Sequence, residues 1–504
     1  MTELSKFAAT VLAAKLPIRN QAFIDGAFQA AASGQTFATV NPATGEHIAD
    51  VAHCHDEDVD RAVRAARRAF NDGAWSRAAP EVRKEVLLKL ADLVHENAHE
   101  LAVMESVDCG KTITDALSEI GGEAVGYFRW YAELTDKVFG KVAPTGEDAL
   151  ALIVKEPAGV VGAVLPWNFP FLMAVWKVAT ALAAGCSIIL KPAEQSPLST
   201  LRLAELATEA GVPAGVINVV TGFGETTGQA IGRHNDIDVV SFTGSTEVGG
   251  YFMRYAGESN LKAVGLEMGG KSPFIVLDDA DINDELIEHA ALAAFWNGGQ
   301  NCSANMRQIV DAKLAEEYVA RVTARANTYK VGDPLDPETE IGAMITAEHQ
   351  TMVMGYIEKG QAEGARLVAG GSTLPAPGYF IQPTVFDGLT ADMTISREEI
   401  FGPVLGVLPV NGFDEALAVA NDTVYGLHAT VFTRDIDRAI HMARRMPCGT
   451  VAINGYTEGD IKTPFGGYKR SGSLARENGL EALDQYVQTK TIWITVGAMD
   501  ASSG

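Results

Sequence analysis

From residue 160 onward the chain alternates short apolar runs with helical segments, and no other feature restricts its fold as much. Residues 160–165, 187–190, 216–220 and 239–242 read as buried strands. Between them, residues 172–184, 198–210, 226–233 and 246–256 read as helices. Strand, helix, strand repeated in this way predicts a parallel sheet in a doubly wound α/β domain, because parallel neighbours need a crossover connection. A second alternation begins after Gly270. Its strands are 274–277, 308–311, 406–410, 429–432 and 450–453, with helices such as 282–295 and 435–445 between them. The expectation is two α/β domains, since 504 residues exceed what one core organises.

The region before residue 160 reads as helical. Residues 56–69 carry an acidic start followed by arginines, and Pro80 opens a helix with Val82, Val86, Leu87, Leu90 and Leu93 on one face. Residues 105–134 continue in helical style, and 4–16 read as a short amphipathic helix lying on the protein rather than a transit peptide. Two strand-like pieces, 148–155 and 486–496, belong to neither alternation. Unpaired strands seek partners, so an intersubunit sheet is expected.

Charge and cysteine usage narrow the function classes. The net charge of -24 repels phosphate backbones, so no nucleic-acid partner is expected. No run approaches the ~18 apolar residues a membrane span needs. The five cysteines, Cys54, Cys109, Cys186, Cys302 and Cys448, are scattered without CxxC spacing. That argues against a disulfide framework and a metal site, and for a reducing, cytoplasmic compartment.

Several segments carry possible chemistry. Cys302 lies in Asn297-Gly298-Gly299-Gln300-Asn301-Cys302-Ser303, where two glycines let the backbone bring a thiol close to a ligand; an inert loop cysteine is the alternative. Pro166-Trp167-Asn168-Phe169-Pro170 closes a strand. There Asn168 suits an oxyanion donor or a helix cap. Glu267 stands before Gly269-Gly270 as a general base or a surface carboxylate. Two segments compete as a phosphate site. Gly222-Phe223-Gly224-Glu225-Thr226-Thr227-Gly228 looks like a dinucleotide fingerprint with its last glycine one residue late. Phe242-Thr243-Gly244-Ser245 ends a strand and opens a helix, where a pyrophosphate is favoured. Lys191-Pro192-Ala193-Glu194 also ends a strand, with a carboxylate suited to ribose hydroxyls.

Taken together, the motifs PWNFP, KPAEQSP, FTGSTEVG, LEMGGKSP, GGQNCS, EEIFGPV and PFGGYKRSG make the sequence resemble the NAD-dependent, hydrolytic aldehyde dehydrogenases over nearly its whole length. The resemblance implies a Rossmann-like cofactor domain (1–138 and 159–266), an α/β catalytic domain (267–478) and a small β oligomerisation element (139–158 and 479–504). It implies a homo-oligomer, tetramer before dimer. Cys302 would be the nucleophile that carries a thiohemiacetal and then a thioester, with Asn168 the oxyanion donor and Glu267 the base for the deacylating water. NAD would be held by Lys191 and Glu194 at the adenosine ribose, by Ser245 at the pyrophosphate, and by Glu399 and Phe401 at the nicotinamide ribose. Pro166, Trp167, Gly224, Phe242, Gly244 and Gly269 complete that surface. Glu194 would disfavour the 2′-phosphate of NADP.

Residues 454–471 are most similar to the γ-glutamyl-γ-aminobutyraldehyde dehydrogenases of putrescine breakdown. That resemblance implies an ω-amino or γ-glutamylamino aldehyde in a pocket of Phe169, Met173, Trp176, Trp296, Asn301, Ser303, Glu458, Asp460 and Phe465. Gly459 stands where the family's general aliphatic enzymes usually carry a bulky aromatic residue and would widen the mouth. Glu458 and Asp460 would attract a cationic end. Trp296, Asn301 and Asn305 depart from the common pattern. Asp108, Asp115 and Glu119 share a predicted helix face, either as an acidic funnel or as a solvated surface. The alternatives are a broad-specificity aldehyde dehydrogenase and an inactive structural or binding protein on the same scaffold. Retention of Cys302, Glu267 and Asn168 speaks against the last.

Overall fold

The computed structural model describes residues 4–497. The first alternation closes into a seven-stranded sheet. Val160–Val164 pairs in parallel with Ser187–Lys191 on one side and with Val239–Gly244 on the other. Ile217–Val219 follows beyond Ser187–Lys191, and Ala263–Met268 beyond Val239–Gly244. A hairpin, Ala22–Ile24 with Ala27–Gln29, extends the Ile217 edge antiparallel. The chain thus winds outward from Val160–Val164 in one direction, then returns to its other side. The carboxyl ends of Val160–Val164 and Val239–Gly244 form the point where strand order reverses, the position that receives ligands in open α/β sheets.

The second sheet also has seven strands. Its order is Arg366–Ala369, Thr384–Asp387, Val404–Val410, Arg307–Asp311, Pro273–Val276, His428–Phe432, Thr450–Ile453. All neighbours are parallel except the outermost pair, Arg366–Ala369 with Thr384–Asp387. Helix Pro170–Ala184 is buried almost all round, as its apolar sequence requires. Proline opens it, and Gly185, at φ +94°, ends it where a Cβ-bearing residue is strained.

The structure differs from expectation before residue 160. The first 52 residues hold two hairpins, the one named above and Thr36–Val40 with His47–Ala52. Strands of three to six residues leave little periodic signal. In helix Pro80–Glu96 the buried positions are Leu87, Leu90, Ala91 and Val94, whereas Val82 is 48% exposed, because only the later turns reach the core. Residues 105–134 are not one helix. Ala98–Cys109 ends at Gly110 (φ +78°), Ile113–Ser118 restarts, Glu119–Ala124 is a π-helical turn, and Val125–Leu134 follows. Residues 224–228 are likewise a π-turn ahead of Gln229–Arg233. The helix Lys6–Ala13 is capped by Ser5 and packs through Ala9 on the main core.

The two strands without a domain find each other. Val487–Thr495 pairs antiparallel with Ala149–Pro157 along its whole length, and Lys141–Ala143 lines the far side. The expectation that each lacks a partner in its own chain is therefore corrected: they lie 330 or so residues apart, beyond any local pattern. The outer edges of Val487–Thr495 and of the short Lys141–Ala143 are unpaired within the three-stranded sheet, and that of Val487–Thr495 is the longer. Residues 498–504 of the expected oligomerisation element, and 1–3, lie outside the described residues. Among the described residues no helix is long and apolar enough to cross a membrane.

Candidate active site

A cavity of about 310 Å³ opens at the reversal point of the first sheet and is closed by loops of the second. Cys302 lies on its wall. The turn that delivers it has three successive left-handed residues, Asn297 (φ 51°), Gly298 (φ 64°) and Gly299 (φ 70°). A Cβ on Gly299 would fall 2.4 Å from the Gly402 carbonyl oxygen, so the close approach requires glycine. Asn297 tolerates its strained backbone by donating its amide to the carbonyls of Asn168 (3.0 Å) and Gln300 (3.2 Å). Asn168 in turn donates to the Gln300 carbonyl at 2.9 Å. This ties the loop after Val160–Val164 to the Cys302 loop and fixes the orientation of the Asn168 amide.

Glu267 is the penultimate residue of Ala263–Met268 and is almost fully buried. Its carboxyl hydrogen-bonds the Cys302 thiol, while one oxygen has no partner. Burial pushes its pKa up to about 8, against the thiol contact and the positive charge of Lys177. Burial also raises the Cys302 thiol well above its usual range, and the charges of Glu267 and Glu458 act in the same direction. The pair therefore stands as a protonated thiol beside a carboxyl poised near neutrality. Behind it Lys177 donates to Glu477 at 2.7 Å and to Ser241 at 2.9 Å, all three buried. Neither Lys177 nor Glu477 was singled out from the sequence. The one available signal was a lysine inside an otherwise apolar helix.

Around the same cavity stand Pro166, Trp167, Gly244, Ser245, Gly269, Glu399 and Phe401. Ser245 caps helix Thr246–Glu258, accepting from the Val248 N–H at 3.3 Å. The Thr243 hydroxyl, beside it, is buried without a partner. Glu399 accepts from the Gly270 N–H at 3.1 Å, and burial pushes its carboxyl up to about 7. A Cβ on Gly269 would lie 2.0 Å from that carboxylate, so the two residues fit only because one is glycine. Phe401 (φ 57°) packs against Trp167 at 5.3 Å, and its carbonyl accepts from His349 at 2.7 Å. His349, which sequence reasoning missed, packs behind the wall against Trp167 and Phe401. Four expected cofactor residues do not line this cavity. Lys191 and Glu194 form an ion pair (2.9 Å) at the end of the next strand outward. Phe242 packs on Phe252, and Gly224 sits in its π-turn.

Phe169, Met173, Trp176, Trp296, Asn301, Glu458 and Phe465 complete the inner wall. Ser303 is fully buried behind it and donates to Glu458. The Glu458 carboxylate also accepts from Asn301 (2.8 Å) and Tyr456 (3.2 Å). An outer chamber of about 530 Å³ shares Trp176, Trp296, Glu458, Phe465 and Glu123 with the inner one and includes Gly459 and Asp460. Gly459 has φ +104°, so its backbone as well as its size selects glycine. Asp460 is exposed and pairs with Lys462 at 3.4 Å, which weakens the expectation that it attracts a cation. Glu123, unforeseen, sits on the π-turn. Its carboxyl is raised by burial first and by Glu458 next, which places two acidic groups at one mouth.

Both readings of Asp108, Asp115 and Glu119 are overturned. The break at Gly110 separates Asp108 from the other two. Asp108 is buried and accepts from the Leu198 N–H at 2.9 Å, at the start of the next helix. Glu119 is buried against Lys111. Asp115 accepts from the Trp296 indole and lines a separate cavity. None forms a solvated face or a funnel. Among the described residues no group of three or more His, Cys, Asp or Glu is placed to hold a metal ion.

Known proteins resemble this chain in sequence and fold. The profile of the aldehyde dehydrogenase family matches residues 28–492. The chain is 49% identical over 495 residues to an aminoacetaldehyde dehydrogenase of Pseudomonas aeruginosa, covering 98% of this chain and 99% of that one. It is 47% identical over 486 residues to an NADP/NAD-dependent aldehyde dehydrogenase of Escherichia coli, covering 96% and 98%. Among solved structures, the γ-glutamyl-γ-aminobutyraldehyde dehydrogenase of Burkholderia cenocepacia superposes with a TM-score of 0.96 at 45% identity, over 98% of this chain and 100% of the other. A mutant indole-3-acetaldehyde dehydrogenase of P. syringae, solved with NAD+ and IAA, gives 0.96 at 44% identity over 98% and 100%. With the family's profile spanning most of the chain and relatives at nearly half identity over their full length, this protein belongs to the aldehyde dehydrogenase family.

Proposed function

We propose that the chain oxidises an ω-amino or γ-glutamylamino aldehyde to the carboxylic acid with NAD. One observation carries this reading: Cys302, Glu267 and Asn168 converge on one wall, and the Glu458 carboxylate, held by Asn301 and Ser303, faces the same cavity. Cys302 adds to the aldehyde carbon as its proton passes to Glu267, and the Asn168 amide stabilises the oxygen that gains charge. NAD, when bound, accepts the hydride. With that first proton released to solvent, Glu267 takes a proton from the water that attacks the thioester, returns it to the departing Cys302 sulfur, and the acid leaves. The unpartnered Thr243 hydroxyl, the Ser245 helix start and the Gly269–Glu399 contact fit a nucleotide cofactor at this point. Lys191 and Glu194 would hold its ribose further out, and Glu194 favours NAD over NADP.

Relatives named for aminoacetaldehyde and γ-glutamyl-γ-aminobutyraldehyde support the substrate class. The aromatic wall of Phe169, Trp176, Trp296 and Phe465 also suits neutral aldehydes, which keeps a broad-specificity enzyme as the second reading. The division proposed from the sequence is retained with one change: the first sheet's last strand runs to Met268, so the catalytic domain begins after it. A homo-oligomer, joined through the open edge of Val487–Thr495, completes the proposal, in a reducing cytoplasm that suits five free cysteines.

The test is NADH formation with γ-aminobutyraldehyde, its glutamylated form, hexanal and succinic semialdehyde. The amino and glutamylamino aldehydes are expected to have the highest kcat/KM, and Cys302→Ala to abolish turnover with all four. Preference for succinic semialdehyde would overturn the substrate class, and turnover by Cys302→Ala would overturn the mechanism.

A further inference from the structure

Asn305 and His428 are buried side chains that the chemistry above does not use. His428 opens the strand His428–Phe432, and Asn305 follows the Cys302 loop by three residues. Their hydrogen bonds allow only one assignment. Asn305 Nδ2 lies 3.1 Å from the Ser303 carbonyl, which only accepts, so this atom is the amide nitrogen. Its oxygen accepts from the Thr430 hydroxyl at 2.6 Å. The same nitrogen lies 3.1 Å from His428 Nδ1, which must therefore present a lone pair. The other ring nitrogen, Nε2, lies 2.8 Å from the Thr457 carbonyl and must carry the hydrogen. His428 is thus a neutral, Nε2-protonated ring with both nitrogens satisfied.

The consequence lies in what the two ends hold. One end is Ser303, next to Cys302, and the other is Thr457, next to Glu458. Glu458 is already gripped from the catalytic loop by Asn301 and Ser303. The Asn305–His428 link holds the main chain one residue earlier, at the Thr457 carbonyl. A carboxylate on a loop loses rotamer freedom only when both its head and its main chain are held, and a group held in place binds without the cost of ordering.

We infer that Asn305 and His428 are positioning residues for specificity: together they clamp the 456–458 wall to the catalytic loop and set the affinity for aldehydes with a cationic or amide-bearing far end. The inference rests on the proposed role of Glu458 as the group that meets that end. A clamp made of two mutually dependent bonds has a signature. Breaking either bond releases the loop, so breaking both does no further harm.

The experiment is a double-mutant cycle on the full enzyme with γ-aminobutyraldehyde and hexanal. His428→Ala and Asn305→Ala are each expected to raise KM for the amino aldehyde about tenfold with kcat within about twofold, and the double variant no more than either single one. KM for hexanal is expected to stay within about twofold. His428→Gln, which places an N–H near the position of Nε2, should recover most of the affinity and guards against a variant that fails to fold. Multiplicative effects, or equal rises for both aldehydes, would overturn the clamp. Glu458→Gln separates the two ideas. If it leaves the ratio of the two KM values unchanged, the substrate reading falls. If it collapses the ratio while His428→Ala does not, the clamp alone falls.

Discussion

Glu267 and Cys302 illustrate how a site sets its own ionisation. A carboxyl and a thiol that share a hydrogen bond in an enclosed space both resist charge, because burial penalises each anion and each anion penalises the other. Lys177 lies close enough to moderate this without removing it, since its charge is already committed to Glu477. The resulting base, with a pKa of about 8, is matched to water activation near neutral pH. Its value above the usual 4.5 means the protonated form is favoured in the fold. The base is recruited, and the stabilisation from its neutral form lost, as pH rises through about 8. The single-turnover rate of acid release should therefore rise with pH with a midpoint near 8. In Glu267→Gln that dependence should vanish, and the rate should fall by a factor of ~10²–10⁴. A profile of unchanged midpoint in the variant would assign the titration to another group.

At the scale of elements, the turn from Gly110 to Ala124 does two jobs that a regular helix cannot combine. It keeps Glu119 buried against Lys111 while turning Glu123 toward the mouth. The π-helical segment shifts the side-chain phase between these two positions, as such turns often do at binding sites. The positive charge of Lys111 opposes the burial that raises the Glu105, Asp115 and Glu119 carboxyls. It faces Glu119 and Glu105, and its ammonium lies 3.8 Å from the Phe169 ring centre. Lys111→Met keeps the volume but leaves two buried carboxyls without a cation. A loss of ~3–5 kcal/mol at pH 8 is expected from urea unfolding. The loss should shrink toward pH 5, where the raised carboxyls take up protons and the uncompensated charge disappears. A pH-independent loss would mean the lysine acts through packing alone.

For the whole molecule, the open edge of Val487–Thr495 matters most. Trp493 is 63% exposed on it, with Ile492 and Ile494 partly exposed alongside. A long strand edge carrying aromatic and branched residues invites pairing with another copy. Replacing Trp493 and Ile492 with glutamate should convert the proposed homo-oligomer to monomers at micromolar concentration, as read by light scattering, with NADH formation as the check on folding. Wild-type protein that scatters as a monomer would remove the basis for that interface.

Local pattern determined much of this protein. The strand Thr450–Ile453 and the helix Leu198–Ala210 end where the sequence says they should, because an apolar run or a 3.6-residue period is a property of neighbours in the chain. The glycines beside Cys302 and Glu267 were legible for the same reason: they mark where backbone must approach closely. Other features exist only in three dimensions. Lys177 meets Glu477 across 300 residues, and Asn301 meets Glu458 across 157. Asp108, Asp115 and Glu119 looked like one acidic face until a single left-handed glycine split the helix, the core enclosed Asp108 and Glu119, and Asp115 turned to a separate cavity. Sequence spacing records which residues share an element. Which loops of two separate sheets converge on one cavity, and hence which charges are buried together, is decided by packing between elements, where the dielectric and the partner of each group are set.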